Sequence, residues 1–92
     1  MIQSFRCSET QALFETGRTR RWGAIVNVAT RKLAMLDAAT ELLDLRSPPG
    51  NKLKELDGDR SGQHSIRIND QFRICFIWGL HGPENVEIVD YH

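Results

Sequence analysis

The sequence predicts an α+β fold in which two N-terminal helices pack on a small antiparallel sheet. Apolar residues recur at helical spacing over residues 23–45, whereas they alternate with polar residues over residues 64–78. The segment Ser47-Pro48-Pro49-Gly50 lies between the two patterns. It should end the helix, because proline cannot continue a helical hydrogen-bond ladder. Helices followed by strands in this order indicate a helical layer on one face of a sheet.

The first half of the chain is predicted to hold a short strand and both helices. Residues 2–7 alternate weakly, as in a strand. Ser8, with Gln11 three residues later, fits a helix N-cap, and Gly17 fits the end of that first helix. The second helix is predicted over residues 23–45. Its apolar face comprises Ile25, Val28, Ala29, Leu33, Leu36, Ala39 and Leu43.

The second half is predicted to be a meander of strands. One strand has alternate apolar or aromatic positions at His64, Ile66 and Ile68. The next has them at Phe72, Ile74, Phe76 and Trp78. Residues 69–71 suit the hairpin between these strands, and a turn at Gly79, Gly82 and Pro83 precedes a last strand over residues 85–91.

The chain has 92 residues, with 12 basic and 12 acidic side chains, and its length fits one domain over residues 1–92. The neutral total conceals an uneven distribution. Residues 1–32 contain Glu9 and Glu15 but six basic groups, which are Arg6, Arg18, Arg20, Arg21, Arg31 and Lys32. A locally basic surface can bind phosphate even when the net charge is zero.

The sequence also bears on compartment and cofactors. It has no apolar stretch near the roughly 20 residues that cross a bilayer and no signal-peptide hydrophobic region, so we expect a cytoplasmic protein without membrane contact. Cys7 and Cys75 lie in apolar contexts without metal-ligand spacing, which is typical of reduced cysteines that act as small hydrophobic residues. We expect neither a metal site nor another cofactor.

Segments along the whole chain resemble the HigB branch of the RelE-like toxins. They are MIQSF at 1–5, LDAAT at 36–40, KLKELDGDRSG at 52–62, QHSIRI at 63–68, DQFRI at 70–74 and VDYH at 89–92. The resemblance implies a small helix-on-sheet ribonuclease that enters the decoding site of the small ribosomal subunit and cuts messenger RNA there. It further implies a HigA-like helix-turn-helix antitoxin, through which alone the pair would bind operator DNA.

The same resemblance implies functional positions. The catalytic set that it implies is Lys54, Arg73, Asp90, Tyr91 and His92, with Arg60 as a supporting arginine. We assign Arg60 to RNA binding, together with four further basic residues, Lys52, Arg18, Arg20 and Arg21. This sequence departs from better-known members in having Lys54 where some have histidine and Asp57 where a basic residue is common.

These residue types suit RNA cleavage without a metal. The reaction requires removal of the 2′-hydroxyl proton, neutralisation of charge on the phosphate and protonation of the leaving 5′-oxygen. We expect His92 to transfer protons, Asp90 to orient it or act as the general base, and Arg73 to clamp the phosphate. Tyr91 would stack on a base or help to position the phosphate, and Lys54 would add positive charge.

Other interpretations remain open on the sequence alone. A histidine at a chain end is most often solvated, and an outward arginine in a strand, such as Arg73, is most often a solubilising residue. The related ParE branch poisons DNA gyrase with the same scaffold, so a non-catalytic inhibitor is the main alternative function. A weakly toxic co-repressor partner of the antitoxin is another.

Overall fold

The computed structural model describes residues 1–90, and within them two helices precede four strands. The helices are α1 (Ser8–Thr16) and α2 (Val26–Ala38). The strands are β1 (Lys54–Glu55), β2 (His64–Arg67), β3 (Phe72–Gly79) and β4 (Gly82–Asp90). Short 3-10 helices occupy Gly23–Ile25, Leu42–Arg46, Pro49–Asn51 and Gly58–Arg60. The predicted fold class is confirmed.

The sheet has the order β1-β2-β3-β4 with every neighbouring pair antiparallel. The predicted hairpin at residues 69–71 is confirmed, since the Asn69 side-chain oxygen accepts hydrogen bonds from the backbone N–H groups of Gln71 and Phe72, both at 2.8 Å. The last strand begins at Gly82, not at residue 85 as predicted. The turn predicted at Gly79, Gly82 and Pro83 is reduced to Leu80 and His81, because Gly79 ends β3 and Gly82 and Pro83 belong to β4. Gly82 has φ 136°, and a Cβ there would lie 2.4 Å from the Met1 carbonyl oxygen, so only glycine fits at the start of β4.

The helices cover one face of the sheet, and the predicted alternation of β2 and β3 is confirmed. Side chains at alternate positions, including Ile66, Ile74 and Phe76, are fully buried in a core shared with the helices. From α1 and α2, that core receives Leu13, Ala29, Leu33 and Leu36. Apolar burial of this kind is the main favourable contribution to folding. It leaves the opposite sheet face for polar side chains.

The prediction that the second helix continues to residue 45 is wrong, because α2 ends at Ala38. Ala39 is extended, and the Asp44 carboxylate accepts hydrogen bonds from the backbone N–H groups of Thr40 and Glu41, both at 3.0 Å. These hydrogen bonds lower the pKa of Asp44 and start the 3-10 helix Leu42–Arg46. Leu43, predicted to be buried, is therefore 62% exposed, and Leu45 enters the core instead.

The N-terminal segment is also simpler than predicted. The strand predicted over residues 2–7 is reduced to one parallel bridge between Phe5 and Val86. The N-cap of α1 is Cys7 and not Ser8, because Cys7 is still extended while its carbonyl accepts the first helical hydrogen bond from Gln11. Gly17 ends α1 in the left-handed region, as predicted. Within residues 1–90, no helix is long and apolar enough to cross a membrane.

Candidate nucleic-acid interface

Polar and charged side chains occupy the sheet face opposite the helices, which we call the cationic face. Strand alternation assigns to it Ser65, Arg67, Arg73, Cys75 and Glu87, and the register places Lys54 of β1 opposite Ser65. Ser65 and Cys75 are fully buried beneath the longer side chains. The predicted residues Lys54 and Arg73 are thus brought to the same face.

Arg73 donates hydrogen bonds to residues of two different elements. Its Nε–H donates to the Ser65 hydroxyl oxygen at 2.8 Å, and one terminal nitrogen donates to the Lys52 carbonyl oxygen, also at 2.8 Å. The first contact crosses from β3 to β2, and the second reaches the loop before β1. A planar guanidinium fixed at two such points has a defined orientation, as phosphate recognition requires.

Arg60 approaches the cationic face from the 3-10 helix Gly58–Arg60. Its terminal nitrogen donates to Gln63 Oε1 at 3.1 Å and lies 3.3 Å from Glu87 Oε2. Arg6 lies 3.6 Å from the same carboxylate oxygen. Only 15% of the Glu87 side chain is exposed, so two arginines share one largely buried carboxylate. Glu87 thereby positions Arg60 and offsets part of the positive charge.

A pocket of about 190 Å³ lies beside these residues. It is lined by Lys54, Leu56, Asp57 and Arg60. Its volume equals that of roughly six liquid waters, which is enough for a phosphate group. Two cationic side chains on its wall suit an anion, whereas the Asp57 carboxylate on the same wall opposes one. The pocket therefore contains both the expected positive charge and the unusual Asp57.

Sequence reasoning assigned no role to Ser65, Arg67 or Glu87. Arg67 pairs with Asp70, and this hydrogen bond, together with the charge of Arg67, lowers the pKa of Asp70. The signal that could have identified Ser65 and Arg67 was their alternation with the apolar residues of β2, which directs them to the face of Arg73. No local signal marks Glu87, whose role depends on contacts with distant residues.

The Asp90 side chain projects from the sheet face opposite to that of Arg73. It lies opposite Phe72 in the register, whereas Arg73 lies opposite Val89. Its carboxylate accepts a hydrogen bond from the Gln71 side-chain amide at 3.0 Å. By strand alternation, the side chains of Asp90 and Arg73 leave opposite faces. The other two predicted residues of this group, Tyr91 and His92, lie outside the described residues.

The predicted arginines of residues 18–21 lie elsewhere, in the connection between α1 and α2. Arg18 and Arg20 line a groove of about 530 Å³ together with Thr16 and Thr19. Arg21 pairs with Glu9 at 2.9 Å and covers the Trp22 ring at 5.1 Å from its centroid. This groove belongs to the helical layer and is separate from the cationic face.

Burial raises the pKa of the Cys75 thiol. The negative charge of Glu87 also raises this pKa, whereas the positive charges of Arg60 and Arg73 lower it. Among residues 1–90, histidine, cysteine and acidic side chains form no group of three or more that could hold a metal ion.

Residues 3–92 match the HigB-like toxin family, described as RelE-like toxins of the type II toxin-antitoxin system HigB. The chain belongs to this family. This HigB-like toxin is 39% identical over 80 residues to Toxin HigB-1 of Vibrio cholerae, a match that covers 85% of this chain and 84% of the relative. It is 34% identical over 93 residues to Endoribonuclease HigB of Proteus vulgaris, covering all of both chains.

A solved structure supports the fold independently. A chain of the YoeB-YefM complex from Staphylococcus aureus matches with a TM-score of 0.62 at 15% identity, covering 100% of this HigB-like toxin and 95% of that chain. At this identity the likeness shows the fold alone. The helix-on-sheet arrangement is therefore shared with a chain of that complex, while the assignment of individual residues depends on this chain's own geometry.

The raised pKa of Cys75 predicts that its thiol stays protonated and unreactive in the folded protein. Iodoacetamide at neutral pH should alkylate Cys7, which is half-buried, faster than Cys75, which is fully buried. Unfolding in urea should remove the difference. Mass spectrometry of peptides at successive times measures both rates, and equal rates in the folded protein would mean that the Cys75 thiol is not buried.

Proposed function

We propose that this HigB-like toxin is a metal-independent endoribonuclease that cuts messenger RNA on the ribosome. The observation that carries the proposal is the fixed guanidinium of Arg73, which lies on one sheet face with Lys54 and near the pocket that Arg60 lines. The name of the Proteus vulgaris relative, Endoribonuclease HigB, supports the same activity. Arg73 would bind the scissile phosphate, and Lys54 and Arg60 would neutralise the charge that develops on it.

Proton transfer is proposed for the C-terminal residues. Asp90 ends β4, and the residue before it, Val89, lies opposite Arg73 in the register. A histidine with an ordinary pKa near 6.5 can take up and release protons at working pH. We propose that His92 transfers protons, with Asp90 as its orienting partner or as the general base, and that Tyr91 positions the base or the phosphate.

Dependence on the ribosome follows from the modest chemistry of this site. It offers few strong acid or base groups, so the rate depends on holding the 2′-hydroxyl in line with the phosphate. We propose that the ribosome supplies part of this constraint by holding the messenger in its decoding site. We propose that the separate groove of Arg18 and Arg20 contacts ribosomal RNA while the cationic face binds the messenger.

The proposed partner is a HigA-like helix-turn-helix antitoxin, and the proposed compartment is the cytoplasm. The family consists of toxins of type II toxin-antitoxin systems, and the solved structural neighbour comes from a complex of YoeB with YefM. These two findings support an antitoxin partner for this chain. We further propose that the pair binds operator DNA through the antitoxin.

The activity can be tested in a purified translation system with messenger cleavage mapped by primer extension. The wild-type protein should cut ribosome-bound messenger at discrete sites and cut the same RNA poorly without ribosomes. Arg73→Ala should lower the cleavage rate by about 100-fold or more, because it removes a charged donor from the transition state. Arg46→Ala is the matched control, since Arg46 is exposed in the 3-10 helix Leu42–Arg46 and should leave cleavage unchanged.

Each alternative function gives a different combination of results in that experiment, in an assay for trapped gyrase-DNA complexes and in a growth assay. Equal rates on free and ribosome-bound RNA would contradict ribosome dependence. Absence of cleavage together with trapped gyrase-DNA complexes would identify a gyrase inhibitor. Neither activity, with no growth inhibition on expression, would indicate a co-repressor.

The Asp57 carboxylate on the pocket wall predicts that charge reversal raises activity. A carboxylate about 8 Å from the transferring phosphate opposes its charge by roughly 1 to 2 kcal/mol at an effective dielectric near 20, which corresponds to about a tenfold change in rate. Asp57→Lys should therefore cut ribosome-bound messenger faster and inhibit growth more strongly. The matched control is Asp59→Lys, since Asp59 is exposed but does not line the pocket. Equal or slower cleavage by folded Asp57→Lys would show that residue 57 does not act on the phosphate.

A further inference from the structure

A buried polar contact joins α2 to the loop that precedes β1. Lys32 is only 7% exposed, and its ammonium group donates a hydrogen bond to Asn51 Oδ1. Burial lowers the pKa of Lys32, and the charges of Arg31 and Arg67 lower it further. A buried ammonium is costly unless its hydrogen bonds are made. The hydrogen bond to Asn51 offsets this cost and fixes the two side chains relative to each other.

The Asn51 side chain also makes hydrogen bonds with the surrounding loop. Its side chain is fully buried, and its amide nitrogen donates to the carbonyl oxygens of Leu45 at 3.1 Å and Ser47 at 3.3 Å. The same nitrogen lies 3.1 Å from the Met35 sulfur in α2. One side chain thus ties the 3-10 helix Leu42–Arg46, the following turn and α2 together. The backbone at residue 51 has little freedom to move.

The next residue contacts the proposed site directly. Lys52 adopts the left-handed conformation, with φ 45°, and its carbonyl oxygen accepts the 2.8 Å hydrogen bond from Arg73. The position of this carbonyl is set by the peptide that links Lys52 to Asn51 and by the unusual backbone angle at Lys52. Since the left-handed region is costly for a lysine, neighbouring contacts must hold it there.

We propose that Lys32 and Asn51 form a clamp that fixes the Lys52 carbonyl and thereby orients the Arg73 guanidinium. They act as positioning residues on the helical side of the sheet, and neither contacts RNA. The inference rests on the proposed function of Arg73, but the orientation of its side chain can be measured without RNA. The clamp consists of contacts within the folded chain, and a fixed orientation of the Arg73 guanidinium is its expected effect.

The rate at which the Arg73 Nε–H hydrogen exchanges with water reports on that orientation. Nitrogen-15 NMR measures this rate. In the wild-type protein, this hydrogen is held by Ser65 and should exchange slowly. Lys32→Met removes the ammonium while keeping the aliphatic volume and should accelerate exchange about tenfold, the equivalent of roughly one net hydrogen bond. Asp37→Ala is the matched control, because Asp37 also lies in α2 but its carboxylate holds the backbone N–H of Ile2.

The outcomes separate a specific clamp from general loosening. Faster exchange in Lys32→Met but not in Asp37→Ala supports the proposal, whereas unchanged exchange in Lys32→Met, or equal acceleration in both variants, overturns it. Should Lys32→Met fail to fold, Asn51→Asp decides the question. This variant keeps an acceptor for Lys32 but loses the donors to Leu45 and Ser47, so it too should accelerate exchange at Arg73, and unchanged exchange overturns the clamp.

A binding measurement then connects the clamp to the proposed function. The probe is a single-stranded RNA oligonucleotide with 2′-O-methyl groups, which cannot be cleaved. Lys32→Met should weaken its binding in the wild-type background and have no further effect in Arg73→Ala, because the clamp acts through that arginine. Additive losses in the double variant would contradict the clamp. Failure of the wild-type protein to bind this RNA would contradict the proposed binding of RNA at the cationic face, while the exchange measurement would still decide the inference.

Discussion

The pair of hydrogen bonds made by Arg73 connects the two parts of the molecule on which the proposed activity depends. One contact, to the Ser65 hydroxyl, belongs to the sheet, and the other, to the Lys52 carbonyl, belongs to the loop between the helices and the sheet. A flexible arginine would lose conformational entropy each time it bound a phosphate. An arginine already held at two points avoids much of that loss, so its charge acts from a defined position.

The cationic face also explains how a chain of zero net charge can be organised to bind RNA. Two of its positive groups, Lys54 and Arg60, line one pocket, and acidic side chains accompany several of the others. Glu87 is shared by Arg6 and Arg60, and Asp70 pairs with Arg67. Such local neutralisation limits nonspecific attraction to phosphate and favours a substrate presented in one orientation. It is consistent with an enzyme that relies on the ribosome to present its messenger.

The features that sequence predicted correctly have local causes. Alternation of apolar residues in β2 and β3, the glycine that ends α1, and the hairpin stabilised by Asn69 each depend on residues near in sequence. The features it missed depend on distant or competing contacts. The helical apolar pattern continues past Ala38, but Asp44 captures the next backbone donors and ends α2 early. Likewise, nothing near Lys32 in sequence reveals Asn51 as its partner.

Amide chemical shifts recorded during titration with the non-cleavable RNA oligonucleotide show whether RNA binds to the sheet face around Arg73. We expect the largest shifts at residues of the cationic face and its pocket, namely Lys54, Arg60, Ser65 and Arg73. Residues of α1 and of the groove near Arg18 should change little in the absence of ribosomal RNA. Shifts confined to that groove, with the signals of β2 and β3 unchanged, would mean that the cationic face does not bind RNA.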